Sequence, residues 1–537
     1  MNLDWSYKEW YSHGSARFAG RDDLAAAGML HQTPSALFLG FLDGAKIWYD
    51  GDGGLLKMGG ARAGKLRDFL GYNVCSGICG GETMLVLDVK GELAAISRDQ
   101  TPDGKHCHYW NPIGAHGLPQ SRINPVGYLK RSSPTLFSDM KSFVSEALPQ
   151  SGSANSQYFE LNARRYAEAI GLTLVQINGE LTLPDLYRAI SLLPAGDDDW
   201  MGLAWEMHRS GIDLCRTVEA EIAAARGDSS GGFKGIVGEL QKAVAGLSDP
   251  LLRDSVSPPY DVDLADLCTS IRPIQFYLMA PVEMIEPWAL VIKALFTGAM
   301  ILKNRAPQAP RQTWLLDECA QLKGFALVEK MFSFGAGIGI RPFAVFQDVS
   351  QMDGLSPTAR RTISSSASVQ SYFGVRDLET AKRVSDMLGV ETLDYFDPAH
   401  QGRAALESGG LLQQILSGGD AFASAQKLAQ QVKEAGLRPR QRRPLQTPDE
   451  VLNMAGDRQF IFADRLPGAI YAERAPYWEQ RFMAGRYHPN PYHPPLDRVP
   501  VRGRFGTAWR PVIVEPVPEA FAAYPQYRSG LWSRIGR

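Results

Sequence analysis

Cysteine and long apolar runs are both scarce in this chain. Its 537 residues include six cysteines. They are scattered, which argues against a disulfide framework and fits a reducing compartment. The N-terminus lacks the basic-then-apolar order of a signal peptide, and no window reaches the roughly 18–20 apolar residues that a membrane-spanning helix needs. The best candidate span, 289–302, is short and is interrupted by Lys293. We therefore expect a cytoplasmic protein.

An excess of basic residues is also missing. The formal net charge is -2, so the protein as a whole does not offer a basic surface to nucleic acid. Contact with DNA would need a local basic patch, or a pore that several subunits build together. The balance of charge therefore neither supports nor excludes a DNA partner.

The order of strand and helix patterns predicts an α/β fold with a mainly parallel sheet. Short strands separated by Gly and Asp are expected at 36–58, where they would form a small sheet that leads into the first core strand. Apolar strands are expected at 84–87, 274–279, 313–316 and 343–346. Helical lengths separate the last three of these, which is the alternation of a parallel α/β core. A chain of this length is expected to form two or three domains, and one domain can be inserted in another.

The region between about 157 and 247 has helical periodicity and few strand-like runs, which predicts an inserted all-helical domain. We divide the chain into an N-terminal segment with the first part of a nucleotide-binding domain (1–150), the helical insertion (151–260), the second part of the nucleotide-binding domain (261–480) and an extended tail (481–537). Residues 402–446 read as an exposed connection that ends in a basic run, and the Pro-, Tyr- and Arg-rich tail reads as an extended arm.

A glycine-rich loop follows the strand pattern that ends at Met58. Such a loop can bind phosphate when its glycines let the backbone approach oxygen, a helix follows it, and a lysine neutralises the anion. The candidate phosphate-binding residues are Gly59, Gly60, Arg62, Ala63, Gly64, Lys65 and Leu66. Leu66 stands where the general pattern has Ser or Thr to hold Mg²⁺, so metal coordination there would be weakened or supplied through water. By itself the segment could also be a glycine-rich turn with a solvated lysine.

A second motif is an apolar strand that ends in two acids, Asp317 and Glu318. At the carboxyl edge of a parallel sheet, Asp317 would hold Mg²⁺ and Glu318 would polarise the attacking water. Gln347 directly follows the next apolar strand, where such folds often place a side chain that senses the γ-phosphate. Two adjacent acids can also be no more than a solvated strand end. Together with the glycine-rich loop, they predict a nucleoside triphosphate site.

The glycine run at 335–339 is similar to a dinucleotide-binding loop, but it follows a helical stretch and precedes a strand. This order is the reverse of the one that binds dinucleotides. We therefore interpret the run as a helix-to-strand turn.

Five segments carry a resemblance to a known family: VLDVKGEL at 86–93, LLDECAQL at 315–322, FQDVSQ at 346–351, FGVRDLETA at 373–381 and LQTPDEV at 445–451. In these segments, and over most of its length, the chain resembles the TraG-type coupling proteins of type IV secretion and conjugation, a branch of the FtsK/HerA-like DNA-pumping ATPases. The last two segments are the most specific.

The resemblance implies a RecA-like P-loop core with an inserted all-helical domain, ATP and Mg²⁺ as cofactors, and assembly as a homo-hexamer. It also implies an ATP-driven coupling function that brings a DNA-bound relaxase or a protein substrate to the secretion channel. Carried over to this sequence, Gly64 and Lys65 would bind phosphate, Asp317 would bind Mg²⁺, Glu318 the water and Gln347 the γ-phosphate. In such rings an arginine often completes a neighbour's site, and Arg360, Arg361 and Arg376 are candidates.

Two departures from the family pattern leave alternatives open. Gly60, Ala61 and Leu66 differ from the usual phosphate loop, which favours a second interpretation: a non-hydrolysing adaptor that recruits substrates. The family's usual N-terminal membrane helices are missing, so we expect a protein that lies peripherally at the inner face of the bacterial inner membrane and docks on a separate membrane anchor, or a shortened form. A DNA-packaging or chromosome-type translocase is a third interpretation, which the segments at 373–381 and 445–451 disfavour.

Overall fold

The computed structural model describes residues 14–148, 154–226, 231–394 and 440–536. The predicted connection at 402–446 therefore lies mostly outside the described residues. The strands are β1 (Leu37–Leu42), β2 (Ala45–Tyr49), β3 (Gly54–Gly59), β4 (Thr83–Asp88), β5 (His106–Trp110), β6 (Ile274–Met279), β7 (Gln312–Leu316), β8 (Ile340–Phe346), β9 (Ala367–Phe373), β10 (Val390–Asp394), β11 (Arg440–Pro444), β12 (Arg458–Ala463), β13 (Ile470–Glu473), β14 (Arg498–Gly503), β15 (Gly506–Pro516) and β16 (Leu531–Ile535).

The main sheet has 11 strands within the described residues, in the order β2-β1-β13-β12-β9-β3-β8-β7-β4-β6-β5. The strands from β9 to β5 pair in parallel, and β12, β13, β1 and β2 extend one edge with antiparallel pairs. The central strands β3, β4, β6, β7 and β8 are buried along their whole length. Helices cover both faces of such a sheet, which is why its strands are continuous apolar runs. The predicted α/β core is confirmed.

The helices lie mainly between these strands and in one block. They comprise Arg21–Ala26, Gly71–Val74, Glu92–Ile96, Leu136–Ala147, Ala154–Asn178, Leu183–Leu192, Asp198–Arg209, Asp213–Arg226, Gly232–Val244, Pro250–Ser255, Asp266–Thr269, Val282–Ile285, Ala289–Arg305, Leu327–Ile338, Ala359–Ser366, Leu378–Leu388 and Pro448–Leu452. The glycine run, predicted to be a helix-to-strand turn, mostly forms the last turn of the helix Leu327–Ile338, and Gly339 alone makes the turn into β8 in the left-handed conformation.

The block from Ala154–Asn178 to Pro250–Ser255 consists, within the described residues, of helices and turns, apart from an isolated β-bridge of Glu180 with Lys130. Side-chain caps fix three of its helix starts: Thr182 accepts from the Asp185 amide, Asp197 from the Trp200 amide and Asp249 from the Leu251 amide. Each cap satisfies an amide that has no partner inside its own helix. The helical character of this region is therefore as predicted, and the domain limits stay a prediction.

Two local predictions are corrected. The short strands at 36–58 were expected to form a small sheet of their own, but β1 and β2 join the main sheet because β12 and β13, from far along the chain, fill the gap. The tail was expected to be an extended arm. Residues beyond 497 instead form the antiparallel sheet β14-β15-β16.

The same tail covers the free edge of β5. The Gln526 side chain accepts from the Cys107 amide at 2.9 Å and donates to the Lys105 carbonyl at 3.0 Å. An uncovered edge strand would leave such backbone groups without partners. The folded tail therefore satisfies the backbone hydrogen bonds of this edge strand. Among the described residues, no helix is long and apolar enough to cross a membrane.

Buried charged side chains form a hydrogen-bonded network at the amino edge of the sheet. Arg341 is 0% exposed and donates to Glu82 at 2.8 Å and to Thr313 at 3.0 Å. Arg311 donates to the other oxygen of Glu82 at 2.5 Å. Buried charges persist only when they are paired and hydrogen-bonded, so this network holds the amino ends of β7 and β8 together without facing the candidate site.

Candidate nucleotide-binding site

Parallel strands bring the predicted motifs to one edge of the sheet. Met58 of β3 lies beside Phe346 of β8, and Leu316 of β7 lies beside Leu87 of β4. The residues that follow these strands therefore meet at their common carboxyl edge, where α/β folds bind ligands.

The glycine-rich loop has the backbone geometry of a tight cradle. Gly64 has a φ of +87°, which favours glycine. A Cβ on Gly60 would lie 2.3 Å from the Gly374 carbonyl oxygen, too close to be accommodated. Arg62 also has a positive φ, of 59°, although it is not glycine. The loop is thus held tightly against the segment after β9.

A π-helix, Leu66–Leu70, follows the loop and passes into the short helix Gly71–Val74. The predicted helix is present, but its first turn is widened; single π turns of this kind are frequent at functional sites. Gly71 packs against the Tyr477 ring, where a Cβ would approach to 2.6 Å. The helix therefore lies directly against the C-terminal part of the chain.

Lys65, Glu318 and Gln347 converge beside this loop. The Lys65 Nζ lies 3.6 Å from Glu318 Oε1, and Gln347 Nε2 donates to Glu318 Oε2 at 3.4 Å. The side chains of Lys65 and Glu318 are 11% and 20% exposed, so their attraction is only partly screened by solvent. Glu318 has φ 50° and ψ 43°, a left-handed backbone that costs energy for a residue other than glycine.

Asp317 lies next to a second carboxyl, Asp88, at the end of β4. The Asp317 amide donates to the Leu87 carbonyl at 3.2 Å, which fixes the two strand ends side by side. Burial, and then the charge of Glu318, raises the pKa of Asp317 to about 7. Burial also raises the pKa of Asp88 to about 7, with a further contribution from Asp317. Carboxyls in this setting gain most from a bound cation, because burial without one disfavours their charge.

Sequence reasoning did not place Asp88 or Arg474 in the site. Asp88 belongs to the VLDVKGEL segment, and its position after an apolar strand was the signal that could have found it. Arg474 donates to the Ala63 carbonyl at 2.8 Å and to Asp68 at 2.9 Å. It follows β13, more than 400 residues along the chain from the loop, and no sequence pattern connects the two.

Arg474 is a buried support beneath the loop. It pairs with Asp68, which is also buried, and burial lowers the pKa of Arg474 to about 10. Lys57 lies in the same layer, where its Nζ donates to Gln459 at 2.7 Å and lies 3.4 Å from the centre of the Phe69 ring. Burial, followed by the charge of Arg474, lowers the pKa of Lys57 well below its ordinary value. Buried polar side chains, the Arg474–Asp68 ion pair and Lys57, therefore support the loop from below.

A cavity of about 950 Å³ opens at this edge of the sheet. The sequence-predicted residues that line it are Arg62, Ala63, Gly64, Lys65, Leu66, Asp317, Glu318 and Gln347. Gly59 and Gly60 lie behind them and shape the loop. Of the arginines considered for a neighbouring subunit's site, Arg360 pairs with Asp353 at 2.9 Å and also contacts Glu379 within its own chain.

A glycine loop after β3, an acidic pair after β7 and a glutamine after β8 define the class: a RecA-like P-loop α/β protein. Solved structures agree with this fold. The bacterial conjugative coupling protein TrwBdeltaN70, in its unbound monoclinic form, matches with a TM-score of 0.58 and 16% identity over 85% of this chain and 92% of that one. The plasmid coupling protein TrwB in complex with ADP and Mg²⁺ matches with a TM-score of 0.57 and 16% identity over 85% and 93%.

The family follows from the sequence comparisons. The family model described as "Type IV secretory system Conjugative DNA transfer" matches residues 15–398, and the chain belongs to this family. Two conjugal transfer proteins TraG from Escherichia coli are each 23% identical to it. The first match covers 89% of this chain and 78% of that protein, and the second covers 84% and 72%.

Proposed function

We propose that this chain is an ATP-driven coupling protein. It binds ATP with Mg²⁺, and hydrolysis drives the delivery of a DNA-bound relaxase or a protein substrate to a type IV secretion channel. The observation that carries the proposal is the convergence of Lys65, Glu318 and Gln347 at the carboxyl edge of the sheet. Family membership gives the biological setting, and the complexes of TrwB with ADP and Mg²⁺ and with an ATP analogue support the choice of nucleotide.

In this proposal the loop amides and Lys65 hold the β- and γ-phosphates. Glu318 accepts a hydrogen bond from the attacking water, and Gln347, already bonded to Glu318, also contacts the γ-phosphate. The contact between Lys65 and Glu318 gives way as phosphate enters, since phosphate competes for the lysine. Catalysis of phosphoryl transfer is mostly positioning and charge stabilisation, and these three side chains supply both.

The carboxyl pair fits a Mg²⁺ ion. The Asp88 Oδ1 is buried and has no hydrogen-bond partner among the described residues, and Asp317 lines the cavity. Asp317 would hold the ion, with Asp88 behind it as a second negative charge. A bound Mg²⁺ supplies neutralisation of phosphate charge. Oxygen ligands of this kind suit it, since Mg²⁺ is bound through one or two carboxylates plus substrate phosphates and water.

We further propose that the active form is a homo-hexamer that lies at the inner face of the bacterial inner membrane. A pore lined by six copies of the same loop can hold single-stranded DNA with only modest charge per subunit, because each phosphate contact is repeated. Arg361 and Arg376 remain candidates for completing a neighbour's site.

Leu66 favours a second function, that of a non-hydrolysing adaptor. It lines the cavity at the first position of the π-helix, where a hydroxyl would otherwise reach Mg²⁺. In this alternative the fold recruits substrates through its helical block, while the site binds nucleotide weakly or not at all.

Steady-state ATP hydrolysis over a series of protein concentrations, with and without single-stranded DNA, separates the two functions. Turnover that rises with concentration and DNA, and is lost in Lys65→Ala and Glu318→Gln, is expected of the ATP-driven protein. Folded protein that shows no turnover under any condition would instead support the adaptor. Lys242→Ala is the matched control for Lys65→Ala. It removes an exposed lysine on the helix Gly232–Val244 of the helical block, which does not line the nucleotide cavity.

A further inference from the structure

The cavity is larger than its phosphate end requires. Its volume of about 950 Å³ lies near the top of the roughly 300–1,000 Å³ range of ligand pockets. The glycine loop and the acidic pair form one end. The other end lies against residues 477–509, which we call the C-terminal wall. This wall is outside the 15–398 region that the family model matches.

The C-terminal wall is fixed to the core on the far side of the cavity. The Tyr72 hydroxyl donates to the Ala475 carbonyl at 2.9 Å, just before the wall begins. The His488 amide donates to the Ile96 carbonyl at 2.8 Å, and the Asn490 side chain donates to Glu92 at 2.9 Å. The contacts to Ile96 and Glu92 join the wall to the segment after β4, and the Tyr72 contact joins the start of the wall to the helix Gly71–Val74, so the wall is held against the core on two sides.

The side chains on this wall are suited to a planar ring rather than to phosphate. Trp478, Tyr487 and Trp509 line the cavity, and the Arg498 guanidinium lies 5.7 Å from the Trp509 ring centre. Aromatic faces and a guanidinium plane stack on nucleobases with little regard to sequence. In the same wall, His488 Nε2 lies 3.1 Å from the Ser533 carbonyl, and the buried Nδ1 has no partner among the described residues.

The His488 ring is neutral and buried within the wall. Its Nε2 also lies 3.1 Å from the Ser533 hydroxyl, and burial lowers the pKa of His488 to about 3. The ring therefore joins the wall to β16 and adds no charge to the cavity.

We propose that the C-terminal wall binds the base and ribose of the nucleoside triphosphate whose phosphates lie at the glycine loop, with Trp478 and Trp509 as the stacking surfaces and Arg498 beside them. This inference rests on the proposed function. Because stacking is tolerant of the base, the wall selects nucleosides over bare polyphosphate and discriminates little between adenine and guanine.

The test compares ATP with inorganic tripolyphosphate, each in the presence of Mg²⁺, by isothermal titration of the full chain. Trp478→Ala is expected to lower ATP affinity by about 5- to 100-fold, the range for loss of one base-stacking contact. Trp509 is 55% exposed, so Trp509→Ala and Arg498→Ala preserve the fold and should weaken ATP binding in the same direction. Tripolyphosphate affinity should not change in any of these variants. The control is Trp205→Ala, on the helix Asp198–Arg209, whose side chain is 60% exposed.

Lys65→Ala distinguishes the inference from the proposed function, because it should weaken both ligands. If the wall variants are folded and bind ATP as tightly as the unaltered chain while Lys65→Ala does not, the inference is wrong and the proposed function stands. If the wall variants weaken ATP and tripolyphosphate equally, the wall only supports the loop, and the inference is again wrong. If the unaltered chain binds neither ligand, both proposals are rejected.

Discussion

Replacing Asp88 by Asn should stabilise the protein without nucleotide, and more so at higher pH. Asp88 is 1% exposed. Its Oδ2 accepts from the Ala94 amide at 2.8 Å, a bond that an Asn oxygen can keep. Its pKa is raised to about 7 from the ordinary 3.8, a difference of about three units. At about 1.4 kcal/mol per unit, the ionised form costs at most roughly 4 kcal/mol of folding free energy.

The sign follows from proton binding. The folded state binds the Asp88 proton more tightly than the unfolded state does. The buried carboxyl therefore lowers the free energy of unfolding by its full amount above about pH 7 and not at all below about pH 4. Stability therefore falls as pH rises between these limits. Asn is neutral throughout, so the gain from Asp88→Asn should grow over the same window and level off above it. Part of the rise in the pKa of Asp88 comes from the charge of Asp317, so 4 kcal/mol is an upper bound.

Urea unfolding followed by tryptophan fluorescence, without Mg²⁺ or nucleotide, measures this at about pH 5 and about pH 8. The exposed Asp464→Asn is the matched control and should change the midpoint little at either pH. A loss of stability in Asp88→Asn, or an equal gain at both pH values, would refute the reasoning. The expected gain would mean that this edge of the sheet gives up stability to keep two acids at the site, as functional sites often do.

Three further predictions follow from the charged groups. Arg474→Lys should weaken ATP and tripolyphosphate binding alike, by about tenfold, because one ammonium cannot hold the Ala63 carbonyl and Asp68, as Arg474 Nη1 does, and also replace the bonds that Nε and Nη2 donate to the carbonyls of Arg458 and Gly456; unchanged titrations would contradict the support assigned to Arg474. Mg²⁺-dependent ATP binding should weaken as pH falls below about 7, where Asp317 takes up a proton, and a flat profile of affinity between about pH 6 and 8 would count against it. Glu82→Gln should destabilise the fold by roughly 3–5 kcal/mol, since it leaves Arg341 buried without its counter-ion, whereas the exposed Glu519→Gln in the same denaturation assay should have little effect.

Sequence patterns were sufficient for the core because the chemistry there is local. The apolar runs before Asp317 and Gln347 are strands because they are buried on both faces, and each strand delivers the next residue to the carboxyl edge. The residues around Lys65 followed from the same local order of strand, loop and helix. Pattern reasoning failed where partners come from far away: β12 and β13, which join β1 to the core, and the tail, whose prolines suggested an extended arm.

The sequence by itself determined the parallel core, the helical block and the two motifs that face each other across the site, because each depends on the order of apolar and polar residues within a few positions. Only the tertiary structure decided that Arg474 supports the loop, that Asp88 shares the edge with Asp317, and that the C-terminal wall lines the cavity. These contacts join residues that are hundreds of positions apart. Their physical cause is burial, which requires each charge or ring to find a partner wherever the fold brings one.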